Sequence, residues 1–154
     1  MKVALKLEEH VPNAPVELVA AALLHDSHEF APPTENLDAT LTARLGAGVT
    51  RVIRALEREH RALAERLEPQ APTDDPWTLW ASAADKIVSL TSILGRAAAT
   101  DDPDAFWNAR RPFIERISYL RRFHTSTAPH LPATMGAELG RLVDMAELTT
   151  APYQ

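Results

Sequence analysis

Eight consecutive residues concentrate the chemistry of this chain: Leu23-Leu24-His25-Asp26-Ser27-His28-Glu29-Phe30. They follow from a run, Val16 to Asp26, that is nearly all apolar. A helix apolar on every side is one that folding buries. An ionised Asp26 at the end of such a helix needs a partner, because an unpaired buried charge is costly. A metal ion suits both neighbours at once, since imidazole and carboxylate together favour Zn, Mn or Fe. Glu29 follows Asp26 by three residues, so on a continuing helix it lies on the same side. A carboxylate near a metal-bound water acts as general base or orients that water. The same residues also suit a helix end capped by Asp26 with a solvated Glu29.

The second unusual position is Asp85, within Trp80-Ala81-Ser82-Ala83-Ala84-Asp85-Lys86-Ile87-Val88-Ser89-Leu90. A lone acid in the middle of an apolar helix requires a partner. Lys86 is a poor one, because adjacent residues point about 100° apart around a helix. Ser82 and Ser89 flank Asp85 on one polar stripe, so an exposed Asp on a solvated stripe is the alternative. Two apolar helices, each carrying an isolated acid and one adding a His, are able to hold one metal if they pack together.

These residues resemble a known family. Ala21-Ala22-Leu23-Leu24-His25-Asp26-x-x-Glu29 is similar to the HD-domain signature of metal-dependent phosphohydrolases. The likeness is greatest to the hydrolase domain of the RelA/SpoT-type alarmone enzymes and their small single-domain relatives. Leu45-Gly46-Ala47-Gly48-Val49-Thr50-Arg51-Val52-Ile53 and Ala83-Ala84-Asp85-Lys86-Ile87 resemble two later motifs of that family, and the likeness spans residues 3 to 125. The resemblance implies His25, Asp26 and Asp85 as metal ligands, with manganese the usual ion, and Glu29 as the acid that positions or activates the attacking water. It implies removal of the 3′-pyrophosphate from guanosine tetra- or pentaphosphate. Ser89 stands where the family commonly has Asn and is the candidate nucleotide contact.

Three departures qualify the likeness. The family's earlier His ligand would fall just before Met1, so the chain is expected to begin inside the domain. Phe30 replaces the second acid of the family's Glu-Asp pair, and Ser89 replaces Asn. Two alternatives follow: an HD-type nucleotidase acting on a nucleoside monophosphate, or a degenerate HD domain that binds a nucleotide or partner without turnover. The incomplete first helix suggests an apolar groove suited to a homo-oligomer.

Other titratable residues carry weaker signals. His10 and His28 are conceivable substitute ligands, while His60, His124 and His130 lack ligand spacing and read as structural or exposed. Arg110, Arg111, Arg116, Arg121 and Arg122 form a basic cluster that suits either a polyphosphate or a solvated helix face. Trp77 and Trp80 suit core packing better than base stacking.

The elements that must position these groups read as helices throughout. Val3, Leu5 and Leu7 mark a short first helix, and Asn13 suits an N-cap with Pro15 early in the next. Pro32-Pro33 opens a loop. Leu37, Leu41 and Leu45 form a helical stripe ended by Gly46. Val49, Val52, Ile53, Leu56, His60, Leu63 and Leu67 follow, with Arg51, Arg54, Arg58 and Glu59 mostly on the other side. Asp75-Pro76 and Asp102-Pro103 are helix starts, and Pro112 kinks or restarts the helix it enters. Met135, Leu139, Leu142, Val143 and Met145 mark a last amphipathic helix. The expectation is an all-α HD-type bundle of six or seven helices in one domain, 1–154.

Composition narrows the partners. The 154 residues are 45% apolar, and 16 basic against 21 acidic side chains leave a net charge of −5. That disfavours a nucleic-acid polymer as partner. With no cysteine, disulfides, thiol nucleophiles and Cys-ligated metals are excluded, which fits a cytoplasmic protein. No apolar run approaches the length of a membrane span, and Lys6 and Glu8-Glu9 break any signal-peptide pattern.

Overall fold

Proline and capping residues cut the chain into helices, and the hydrophobic stripes between them set what each helix buries. A computed structural model describes residues 1–32 and 36–154; Pro33, expected with Pro32 to open a loop, lies outside the described residues. The fold is all-α. Among the described residues there are ten α-helical segments, seven of them nine residues or longer, and no strand. None is long and apolar enough to cross a membrane. The chain divides into two compact units, Met1–Ala84 and Asp85–Gln154.

The first unit opens with α1 (Lys2–His10), which buries Val3, Ala4 and Leu7. Residues 11–14 then turn tightly. Asn13 adopts φ 65°, a left-handed conformation that Asn tolerates, and does not serve as the expected N-cap. Pro15 stands before the first residue of α2 (Val16–Leu24), and its carbonyl accepts from Leu18 and Val19 N–H. The helix α2 buries Leu18, Ala21 and Ala22, while Val16 and Leu23 stay exposed. It is thus buried along one face, not all round as its composition suggested. It also stops at Leu24, two residues short of Asp26, and α3 (Ser27–Phe30) follows as a single turn.

Asn36 caps α4 (Leu37–Leu45), its side-chain oxygen accepting from Ala39 N–H at 3.1 Å. Gly46 ends that helix at φ 95°, where L side chains are strained. It leads straight into α5 (Ala47–Ala64), which buries Val49, Val52, Ile53 and Leu56. The pairs α1–α2, α2–α5 and α4–α5 pack together. Asp75 starts α6 (Pro76–Ala98): its carboxylate accepts from Thr78 Oγ1 at 2.6 Å and lies 3.4 Å from Thr78 N.

In the second unit Asp102 caps α7 (Pro103–Asn108), accepting from Ala105 N–H at 2.9 Å. Pro112 sits in the first turn of α8 (Arg111–Glu115), so the chain restarts there rather than bending. The remaining long helices are α9 (Ile117–Thr127) and α10 (Ala133–Thr150), which pack on one another. The buried core of this unit includes Trp107, Ile117, Phe123, Met135, Leu139 and Val143.

Candidate functional site

The His25–Asp26 pair occupies the corner where α2 ends. Two residues of turn, His25 (φ −57°, ψ −29°) and Asp26 (φ −96°, ψ 8°), separate α2 from α3. The corner holds because Glu29 N–H donates to Asp26 O at 3.0 Å and Ala31 N–H donates to Ser27 O at 3.1 Å. His25 is buried, with 8% of its surface exposed. Its Nδ1 lies 3.0 Å from Ala22 O. A carbonyl only accepts, so Nδ1 carries the proton, and the ring orientation is set by the preceding helical turn.

That tautomer turns Nε2 toward the carboxylate of Asp26, 3.1 Å from Oδ2. Two acceptors do not rest at that distance unless a cation or a second ring proton lies between them. Two ligand atoms each about 2.1 Å from one metal and at right angles are about 3 Å apart, so the pair has the spacing of neighbouring ligands. Its chemistry, one imidazole and one partly exposed carboxylate, fits a divalent cation.

Behind the pair, the His60 ring stands edge-on to His25 at a centroid separation of 6.4 Å. His60 is therefore a packing neighbour of the pair, although nothing in its spacing suggested this. Below it on α5, Glu57 accepts from Arg54 and, at 2.8 Å, from Arg61, while Arg54 also donates to Asp38 at 2.7 Å. Burial opposes ionisation of Glu57, but the Arg54 hydrogen bond and the charges of Arg54, His28 and Arg61 outweigh it. The carboxyl is held below its ordinary range. His28 Nδ1 and Ser27 Oγ are buried without a hydrogen-bond partner among the described residues.

The helix expected to continue from α2 through Glu29 is interrupted at His25 and Asp26, and Asp26 stands at the N-cap of the separate turn α3 that carries Glu29. Glu29 and Phe30 are exposed on α3, Phe30 to 81%. Among the described residues of the first unit, no three His, Asp or Glu side chains bring ligand atoms within 4.8 Å of one another. This unit by itself supplies a two-ligand pair and not a closed set.

Asp85 and Ser89 lie on α6, Asp85 half-buried and Ser89 exposed, and Asp85 is the first residue of the second unit. Lys86 is buried, its ammonium 4.3 Å from the centre of the Phe123 ring and 5.7 Å from that of Tyr119. The arginine cluster is largely engaged locally. Arg110 stacks on Phe106, Arg111 donates to Tyr153 O and Asn108, and Arg121 pairs with Asp144 and Glu147. His124 is structural, its Nε2 3.1 Å from Gly136 O. Trp77 packs on Arg51 and against Gly48.

One buried acid escaped the sequence reading. Glu59, expected on the outer side of α5, is buried and accepts from Ser82 Oγ at 2.7 Å. Its signal was positional: Glu59 lies three residues after Leu56 and seven after Val52, inside the apolar stripe. No family model, no curated protein and no solved structure matches this chain.

Proposed function

We propose that the chain is a metal-dependent phosphohydrolase of the HD type acting on a guanosine polyphosphate. The observation that supports this reading is the His25–Asp26 pair, with Nδ1 tied to Ala22 O and Nε2 3.1 Å from Oδ2. Such second-sphere anchoring of an imidazole is what metal-ligating histidines characteristically carry. His25 and Asp26 hold the ion; the sequence resemblance adds Asp85 as a third ligand. A divalent ion, manganese by that resemblance, would supply Lewis acidity toward the phosphoryl group and a more acidic water. Glu29, exposed on α3, takes the proton of the attacking water. A second reading, binding without turnover, is favoured by Phe30, an exposed ring where the resemblance calls for a second acid.

The test is calorimetric Mn²⁺ binding together with pyrophosphate release from guanosine tetraphosphate. Metal bound at one site per chain and lost in His25→Ala and Asp26→Asn, with metal-dependent release of pyrophosphate, is the expected result. Glu29→Gln should keep the metal and lower the rate by about 10²–10⁴-fold. Asp85→Ala should lose metal and turnover together; retained metal would remove Asp85 from the ligand set. Metal binding without pyrophosphate release would select the second reading, and no saturable Mn²⁺ binding would overturn both.

A further inference from the structure

The helix α2 presents an apolar face to solvent. Val16, Val19, Ala20 and Leu23 recur along it at i, i+3, i+4 and i+7, the spacing of a single face. Leu18, Ala21 and Ala22 are buried on the opposite side. Val16 is 83% and Leu23 48% exposed, with Val19 and Ala20 half-buried between them. The solvent face of a helix ordinarily carries charged and polar residues. Here Glu17, at the border of the stripe, is the one polar residue of α2. The stripe runs two turns, about 10 Å at 1.5 Å per residue. Phe30, on the turn that follows, adds an exposed ring. Contiguous exposed apolar surface of this kind marks an interaction site.

The charges beside the stripe select the partner. From Val11 to Ala43 the chain has no lysine or arginine, whereas Glu17, Asp26, Glu29, Glu35 and Asp38 all fall there. Neither Glu17 nor Glu29 forms an ion pair among the described residues. On α1, which packs against α2, Lys2 and Lys6 are offset by Glu8 and Glu9. A second copy of this chain laid on the face would set carboxylates against carboxylates, and an anionic lipid surface would meet the same repulsion. A helix with lysines or arginines beside its own apolar stripe buries Val16 and Leu23 and meets acids at the rim. We propose that the outer face of α2 docks a basic amphipathic helix of a partner protein. This inference does not rest on the metal chemistry proposed above.

The test uses a fluorescent Leu/Lys amphipathic peptide of about 18 residues, five helical turns, titrated with the full chain and followed by anisotropy and amide-resolved NMR. Parallel arms use a scrambled peptide of the same composition, which lacks the stripe, and a Leu/Glu peptide, which keeps the stripe and reverses the charge. The Leu/Lys peptide should bind saturably with Kd below about 100 μM and shift the amides of Val16 to Leu24. Each control peptide should bind about tenfold more weakly or worse. Val16→Lys and Leu23→Lys, which add a like charge to the stripe, should each weaken the Leu/Lys peptide by a similar factor while the spectrum stays folded. Leu148→Lys, at an exposed position on α10, should leave affinity unchanged. Equal binding of either control peptide, unchanged affinity in both stripe variants, or no saturable binding would overturn the proposal. So would a dimer of the chain alone in sedimentation that Val16→Lys dissociates, which would assign the face to a second copy. Binding to phosphatidylglycerol vesicles that Val16→Asp abolishes would overturn it in favour of lipid.

Discussion

At the scale of single residues, charge placement is the most testable feature. Burial opposes ionisation of Asp75, yet hydrogen bonds from Arg51 and Thr78 prevail and hold its carboxyl below the ordinary value of 3.8. A folded-state value below the unfolded one stabilises the fold fully above pH 3.8, and this contribution is lost as pH falls through the folded value. Asp75→Asn keeps the capping geometry and removes the charge. It should lower stability at neutral pH by about 0.5–1.5 kcal/mol, the usual net contribution of one hydrogen bond. The gap between the urea midpoints of the two proteins should narrow as pH falls below 3.8; a gap that stays constant there would show that charge is not its source. The same logic explains what was legible at His25 and Asp26. An ionisable pair closing an apolar run is visible in sequence because burial makes it expensive. The 3.1 Å approach of Nε2 to Oδ2 was not legible, because it depends on Nδ1 finding the Ala22 carbonyl one turn back.

At the scale of elements, glycines report which helix faces are crowded. A Cβ on Gly140 of α10 would stand 2.7 Å from His124 Nε2, while a Cβ on Gly95 of α6 would meet nothing within 4 Å. The same substitution should therefore have opposite signs. Gly140→Ala should destabilise by about 1–2 kcal/mol, as overpacking against the α9 ring outweighs the gain in helix propensity. Gly95→Ala should stabilise by about 0.5–1 kcal/mol. Thermal melting of both variants checks the pair; a rise for Gly140→Ala would mean that the α9–α10 contact is loose. Helix starts at Asp75, Asp102 and Asn36 come from side chains that reach backbone N–H groups within three residues, so local sequence suffices to specify them. The end of α2 was misplaced for the converse reason. Nothing in Leu24-His25-Asp26-Ser27 forbids another helical turn, and the break at His25 and Asp26 is visible only in the fold.

At the scale of the whole chain, the balance of charge sets what the surface attracts. The net charge is −5, and Arg54, Arg61 and Arg121 are paired with carboxylates. The chain should show no retention on immobilised duplex DNA at 0.15 M salt, where exposed charges are screened beyond about 8 Å. Salt-dependent retention would reveal a basic face that the ion pairs do not neutralise. Sequence alone determined the helical class, the helix starts at Asp75 and Asp102, and the two apolar stretches that carry His25, Asp26 and Asp85, because periodicity and capping are local properties. Only tertiary structure decided that α2 buries one face and leaves the opposite one exposed, and that Glu59 turns inward to Ser82. Those outcomes depend on which surfaces meet, and burial is a property of packed neighbours rather than of any residue's own identity.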